Sequence, residues 1–179
     1  MKKPDIKFNP HPKMRYEITL TIEGAPGPFD SVKGSAGYEV TNGACVPLTP
    51  FSGATLTPNR NVPMSLSSVS DTVYKGDIYV DLLSDEDYFG QGLCRWSMRF
   101  VDFDLQVGNL AFAHSISLDD VLVGQSVTRY FNSLSYASED ARAPKDDHPR
   151  VSSGNASRTQ FKDPTNTFSL TLSAKENFQ

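Results

Sequence analysis

A single-domain, all-β chain folded as an antiparallel β-sandwich is what this sequence predicts, with long irregular loops, little helix, and a β-barrel as the alternative closure. Three observations predict it. Segments alternate apolar and polar residues with a period of two, turn clusters of Gly, Pro, Asn and Asp separate them, and only one short stretch carries helix signals. About seven to nine short strands are expected.

Residues 1–14, with prolines at 4, 10 and 12, read as a flexible lead to one domain over 15–179. RYEITLTIE, from Arg15 to Glu23, sets Tyr16, Ile18, Leu20 and Ile22 against Glu17, Thr19, Thr21 and Glu23, the pattern of a half-buried strand. GAPGPFD is a turn, and Ser31–Thr41 a second strand in which Gly34 and Gly37 hint at a bulge or a close approach. Asn42-Gly43 then turns the chain into VPLTPFSGATLTP, whose prolines lack the donor that a central strand needs.

Val62–Val69 and Thr72–Leu82 suggest a hairpin closed at Ser70-Asp71. In Leu93–Val107 the alternation places Trp96, Met98 and Phe100 on one face, with Trp96 in the core. The pattern slips near Val101-Asp102, which predicts a bulge, and resumes at Phe103, Leu105 and Val107. Asn109–Ser117 is a further strand, and Ser117 can cap LDDVLV as one or two helical turns, with Asp119 and Asp120 suited to a helix start. Gln125–Tyr136 returns to strand. The pattern is lost over 138–165, a long loop that is either disordered or functional, and TFSLTLSA closes the chain as the last strand.

A formal charge of −4 and scattered basic residues exclude a general nucleic-acid binder, which needs a basic field. No stretch approaches the roughly 20 apolar residues of a membrane span, and the start lacks the apolar region of a signal peptide. There are two cysteines, Cys45 and Cys94. They can form a bridge closing a loop of about 50 residues, worth about 4 kcal/mol in the chain-entropy view, or stay as two reduced buried thiols. A strand-rich, Thr/Ser/Asn-rich chain without a reactive-thiol motif favours the bridge.

Catalytic patterns are sparse. His11 and His148 sit between prolines and polar residues, His114 lies in LAFAHSI, and no two-His helix or CxxC is present, so no metal or cofactor is expected. A nucleophile elbow and a phosphate loop are likewise missing, and no enzyme activity is expected. Asp85, Glu86 and Asp87 are neighbours, whereas catalytic carboxylate pairs face each other across a substrate. A calcium loop through Asp81, Asp85 and Asp87 does not fit the EF-hand pattern.

Binding is left. DEDYFGQGLCRW presents Asp85, Glu86 and Asp87, then Tyr88 and Phe89, then two glycines before Cys94. Turned inward, the aromatics anchor the loop on the core; turned outward, they become interface anchors. In both cases the loop offers fixed negative charge to a basic surface. A bridge from Cys94 to Cys45 would join it to the Pro-rich connection as one stiff surface. Asp119-Asp120, and Asp146-Asp147 in the 138–165 loop, are further candidate contacts.

The stretches APGPFDSVKG, YEVTNGACVPLTPFSGATLTP, DEDYFGQGLCRW and SVTRYF together resemble small envelope lipoproteins of Gram-negative bacteria encoded beside type VI secretion effectors, especially phospholipases. The resemblance covers roughly Tyr16 to Phe131. It implies an immunity protein that binds and neutralises its cognate lipase-type effector in the periplasm, with Cys45 and Cys94 oxidised, no catalytic residues, and a lipid anchor on the full-length precursor. This chain shows neither signal peptide nor lipidated cysteine, which fits a mature soluble fragment. The competing expectations are an envelope or adhesive β-sandwich module without a toxin partner, and a carbohydrate-binding or hydrolytic sandwich using Trp96 and the acidic loop.

Overall fold

The computed structural model describes residues 3–178. Ten strands build two five-stranded sheets. The first has the order β4 (Ser67–Ser70), β5 (Val73–Tyr79), β1 (Arg15–Glu23), β10 (Thr167–Glu176), β8 (Val127–Asn132). The second has the order β3 (Asn59–Met64), β2 (Ser31–Val40), β6 (Trp96–Val107), β7 (Leu110–Ser117), β9 (Arg150–Ser152). Every pairing is antiparallel except β7 with β9. The sheets face each other as a sandwich, and neither closes into a barrel.

Alternation decides which residues fill the space between the sheets. Ile18, Leu20 and Ile22 of β1 stand opposite Ala174, Leu172 and Leu170 of β10, all buried. From the second sheet come Ala36, Tyr38, Met98, Val101, Phe103, Leu105 and Phe112. Phe112, Phe131 and Phe168 form the aromatic centre: Phe131 and Phe168 stack at 5.4 Å, and Phe112 meets both edge-on. Such geometry adds to the burial of the rings themselves.

Four sequence expectations are corrected. The hairpin strand expected over Val62–Val69 is two strands in different sheets: β3 pairs with β2, the chain crosses at Ser65-Leu66, and β4 pairs with β5. Gly76 permits the crossing, since a Cβ there would lie 2.7 Å from the Ser65 carbonyl. Pro63 is tolerated because β3 is an edge strand. The bulge in β6 comes earlier than the sequence suggests. Gly37 pairs with Phe100 and Tyr38 with Met98, leaving Arg99 as the extra residue. The slip therefore turns Phe100 outward, at 40% exposure, and brings Val101 in. Phe100 lies flat over Gly37, where a Cβ would come within 2.5 Å of its ring.

The 138–165 connection is not structureless. It holds a helical turn, α2 (Glu139–Arg142), and β9, and it docks on the β6–β7 turn through Asn109 N to the Asp140 carbonyl and Arg150 N to the Asn109 carbonyl. Asn155 exchanges two backbone hydrogen bonds with Tyr130 of β8. The lead also departs from its expected freedom. Phe8 pairs with Leu83, Asn9 N donates to the Leu82 carbonyl, and Ser84 N donates to the Lys7 carbonyl. The α1 helix (Leu118–Val123) begins as its residues suggest, with Ser117 and Asp120 forming a reciprocal capping box.

Candidate functional site

Cys45 closes a short 3-10 turn after β2, and Cys94 sits just before β6, so both reach the same end of the sandwich. They form a disulfide with Cα atoms 5.3 Å apart, 49 residues separated in sequence. Val40, Cys45, Val46 and Cys94 make a small buried core distinct from the main one, with Tyr88, Phe89 and Trp96 packed against it. Trp96 also borders the main core, half-buried and edge-on to Tyr88 at 6.4 Å. Asn42 adds a second clamp. Its carboxamide donates to the Leu93 carbonyl at 2.7 Å and accepts from Arg95 N at 2.7 Å, while Thr41 N donates to the Arg95 carbonyl.

The acidic loop is built by its own carboxylates. Asp85 accepts from Trp96 N at 2.8 Å, and Asp87 accepts from Gly90 N at 2.7 Å and Gln91 N at 3.0 Å. Gly90 and Gly92 have φ of 76° and 109°, backbone that favours glycine, so Asp87 caps a turn few other sequences could make. Asp81 accepts from Lys13 N and Met14 N, both at 2.9 Å. The three aspartates considered as a calcium loop thus point to three separate sets of backbone donors. Glu86 pairs through its main chain, its carbonyl accepting from Cys94 N. Tyr88 and Phe89 turn inward: the Tyr88 hydroxyl donates to the Ser84 carbonyl at 2.6 Å, and both rings lie half-buried on the small core. Asp85 and Asp87 remain exposed at the loop surface.

The other partner of the disulfide is the Pro-rich connection. It folds back on itself, Leu48 pairing with Thr55, Thr49 N donating to the Ala54 carbonyl and Gly53 N to the Thr49 carbonyl. At the tip Phe51 is fully exposed, with Leu48 and Leu56 exposed on either side. Leu56, Pro58, Phe89, Pro4 and Ile6 line a shallow depression of about 400 Å³ between the two loops and the lead. These apolar side chains lie outside the sequence expectations. The available signal was Leu48, Phe51 and Leu56 lying in a Pro- and Gly-broken run with no strand alternation to bury them.

The other expected contacts lie on other elements. Asp120 is committed to the α1 cap, its carboxylate accepting from Ser117 N at 3.1 Å and from the Ser117 hydroxyl at 2.9 Å, and Asp119 is exposed beside it. Asp146 and Asp147 are exposed near the β6–β7 turn. That turn lies at the opposite end of β6 from Trp96, roughly 35 Å away at strand rise. The three acidic regions cannot form one patch.

A cavity of about 490 Å³ opens where β6 and β7 meet β8, lined by Asp102, Asp104, His114, Ser115 and Arg129 among others. Burial, then the neighbouring Asp104 charge, pushes the Asp102 carboxyl up against an opposing Ser115 hydrogen bond. Burial likewise raises Asp104 despite Lys33. Burial pushes the His114 imidazole down; its Nε2 lies 2.8 Å from the Val127 carbonyl. His114 and Ser115 are consecutive in β7 and face opposite sides, so they do not form a nucleophile and base.

No family model, characterised protein or solved structure matches this chain.

Proposed function

We propose that this chain is an immunity protein that binds and neutralises a phospholipase-type effector of a type VI secretion system in the periplasm. One observation carries the reading: the Cys45–Cys94 bond joins the acidic loop and the Pro-rich turn into one exposed surface at one end of the sandwich. An inhibitor gains affinity from a surface that needs no ordering on contact. Here the disulfide, the Asn42 clamp, the Asp85–Trp96 hydrogen bond and the Asp87-capped turn supply that stiffness. Fixed carboxylates at Asp85 and Asp87 suit fast capture of a basic partner surface. A disulfide fits an oxidising compartment such as the periplasm, and the stretches carrying the family resemblance include both of its cysteines. A lipid anchor on the precursor belongs to the same proposal.

The test is co-expression with the effector encoded by the adjacent gene. The two chains should co-purify as a complex, and adding this chain should suppress fatty-acid release from phospholipid vesicles by that effector. Two purified chains that fail to associate at micromolar concentration would contradict the proposal.

A further inference from the structure

Phe51 is the most exposed large apolar side chain among the described residues, and it is held out rather than left loose. The Leu48–Thr55 pairing closes its turn, the Thr49 and Ser52 hydroxyls bond across it, and Gly53 at φ 65° completes it. Three residues before Leu48, Cys45 bonds the base of the turn to the acidic loop. The tip is convex and apolar, so whatever covers it must be concave and apolar. Asp85 and Asp87 stand on the adjoining loop, and Phe89 of that loop shares a depression with Leu56.

We propose that the Leu48–Leu56 turn is a prong whose Phe51 ring enters an apolar cleft of the effector, with Asp85 and Asp87 meeting basic side chains at the rim of that cleft. This rests on the proposed immunity function and names how the partner is engaged. An enzyme that cleaves phospholipids must hold an acyl chain, and a cleft shaped for one accepts a phenyl ring on a narrow turn. Occupying it excludes substrate, so inhibition is competitive with lipid. Charge decides against a bilayer as the occupant: anionic headgroups are repelled by the carboxylates of the adjoining loop in a chain of net charge −4.

The experiment compares wild type, Phe51→Ser and Val69→Ser for binding to the adjacent-gene effector by calorimetry, and for inhibition at several lipid concentrations. Val69 is also exposed and apolar, but lies on the edge strand β4 of the other sheet. Phe51→Ser should leave the thermal midpoint unchanged and weaken binding by on the order of 30-fold, the scale of an aromatic hot spot. Val69→Ser should bind like wild type. Wild-type binding that survives Phe51→Ser within about twofold, or an equal loss in Val69→Ser, overturns the prong and leaves the immunity function standing. No binding by wild type removes the immunity function and the prong with it. If Phe51→Ser instead abolishes self-association, or flotation with phosphatidylglycerol vesicles, while effector binding is unchanged, the occupant is a second copy or a membrane and the proposal is wrong.

Discussion

Phe103, Phe112, Phe131 and Phe168 fill the middle of the sandwich with no more than 1% of their surface exposed, the last three against one another and all four in a cluster with Leu and Ile side chains from both sheets. At the Cys45–Cys94 end the separate core is four small buried residues among the described ones, and the aromatics above them, Tyr88, Phe89 and Trp96, stay half in water. The first region is held by area removed from solvent, which is non-directional and spread over many contacts. The second is held by a covalent bond and a few aimed hydrogen bonds from Asn42, Asp85 and Asp87. An exposed surface cannot bury its side chains, so its rigidity must come from elsewhere.

That contrast can be broken by substitution. Phe168 touches Phe29, Phe112 and Phe131, so Phe168→Ala should cost about 5 kcal/mol, the upper end for such a truncation. Replacing both cysteines by alanine should cost about 4 kcal/mol, the chain-entropy value for a loop of this length. Urea midpoints read both. A Phe168→Ala loss well below the cysteine loss would mean that the sandwich leans on its disulfide more than on its core.

A smaller effect sharpens the comparison at the sheet seam. Burial holds the folded His114 imidazole below its ordinary value near 6.5; Arg129 works in the same direction, while the Val127 carbonyl and Asp120 oppose it. Between the folded value and 6.5 the unfolded chain binds more protons, so stability falls as pH drops through that window. The slope is at most about 1.4 kcal/mol per pH unit, the limit for one proton. His114→Gln should flatten it, as read from urea midpoints between pH 5 and 7. Asp102 and Asp104, raised by burial, act in the opposite sense just above 3.8, where their contribution is lost as pH rises.

Strands with strict alternation were legible in the sequence. RYEITLTIE and TFSLTLSA name their own buried faces, and Ser117 with Asp120 announces a helix cap. Where a single backbone event resets the pattern, the sequence misleads: one extra residue at Arg99 sends Phe100 outward, and Gly76 lets the chain change sheets inside what looks like one hairpin strand. The cysteine pairing and the inward turn of Tyr88 and Phe89 stood as one of two alternatives each, since neither depends on periodicity. The Phe51 prong was not legible because exposure is a property of what fails to pack, and the connection's prolines indicate only that it is not a central strand. Acidic residues looked equivalent in sequence, yet Asp85 and Asp87 brace the stapled loop while Asp146 and Asp147 stand at the far end.

Hydrogen exchange on this chain with and without the adjacent-gene effector most directly tests whether the stapled end is the recognition surface. Amides of 46–58 and 84–95 should gain protection in the complex, with the α1 and 138–165 segments unchanged. A footprint confined to α1, to the 138–165 connection or to the outer face of either sheet would contradict it.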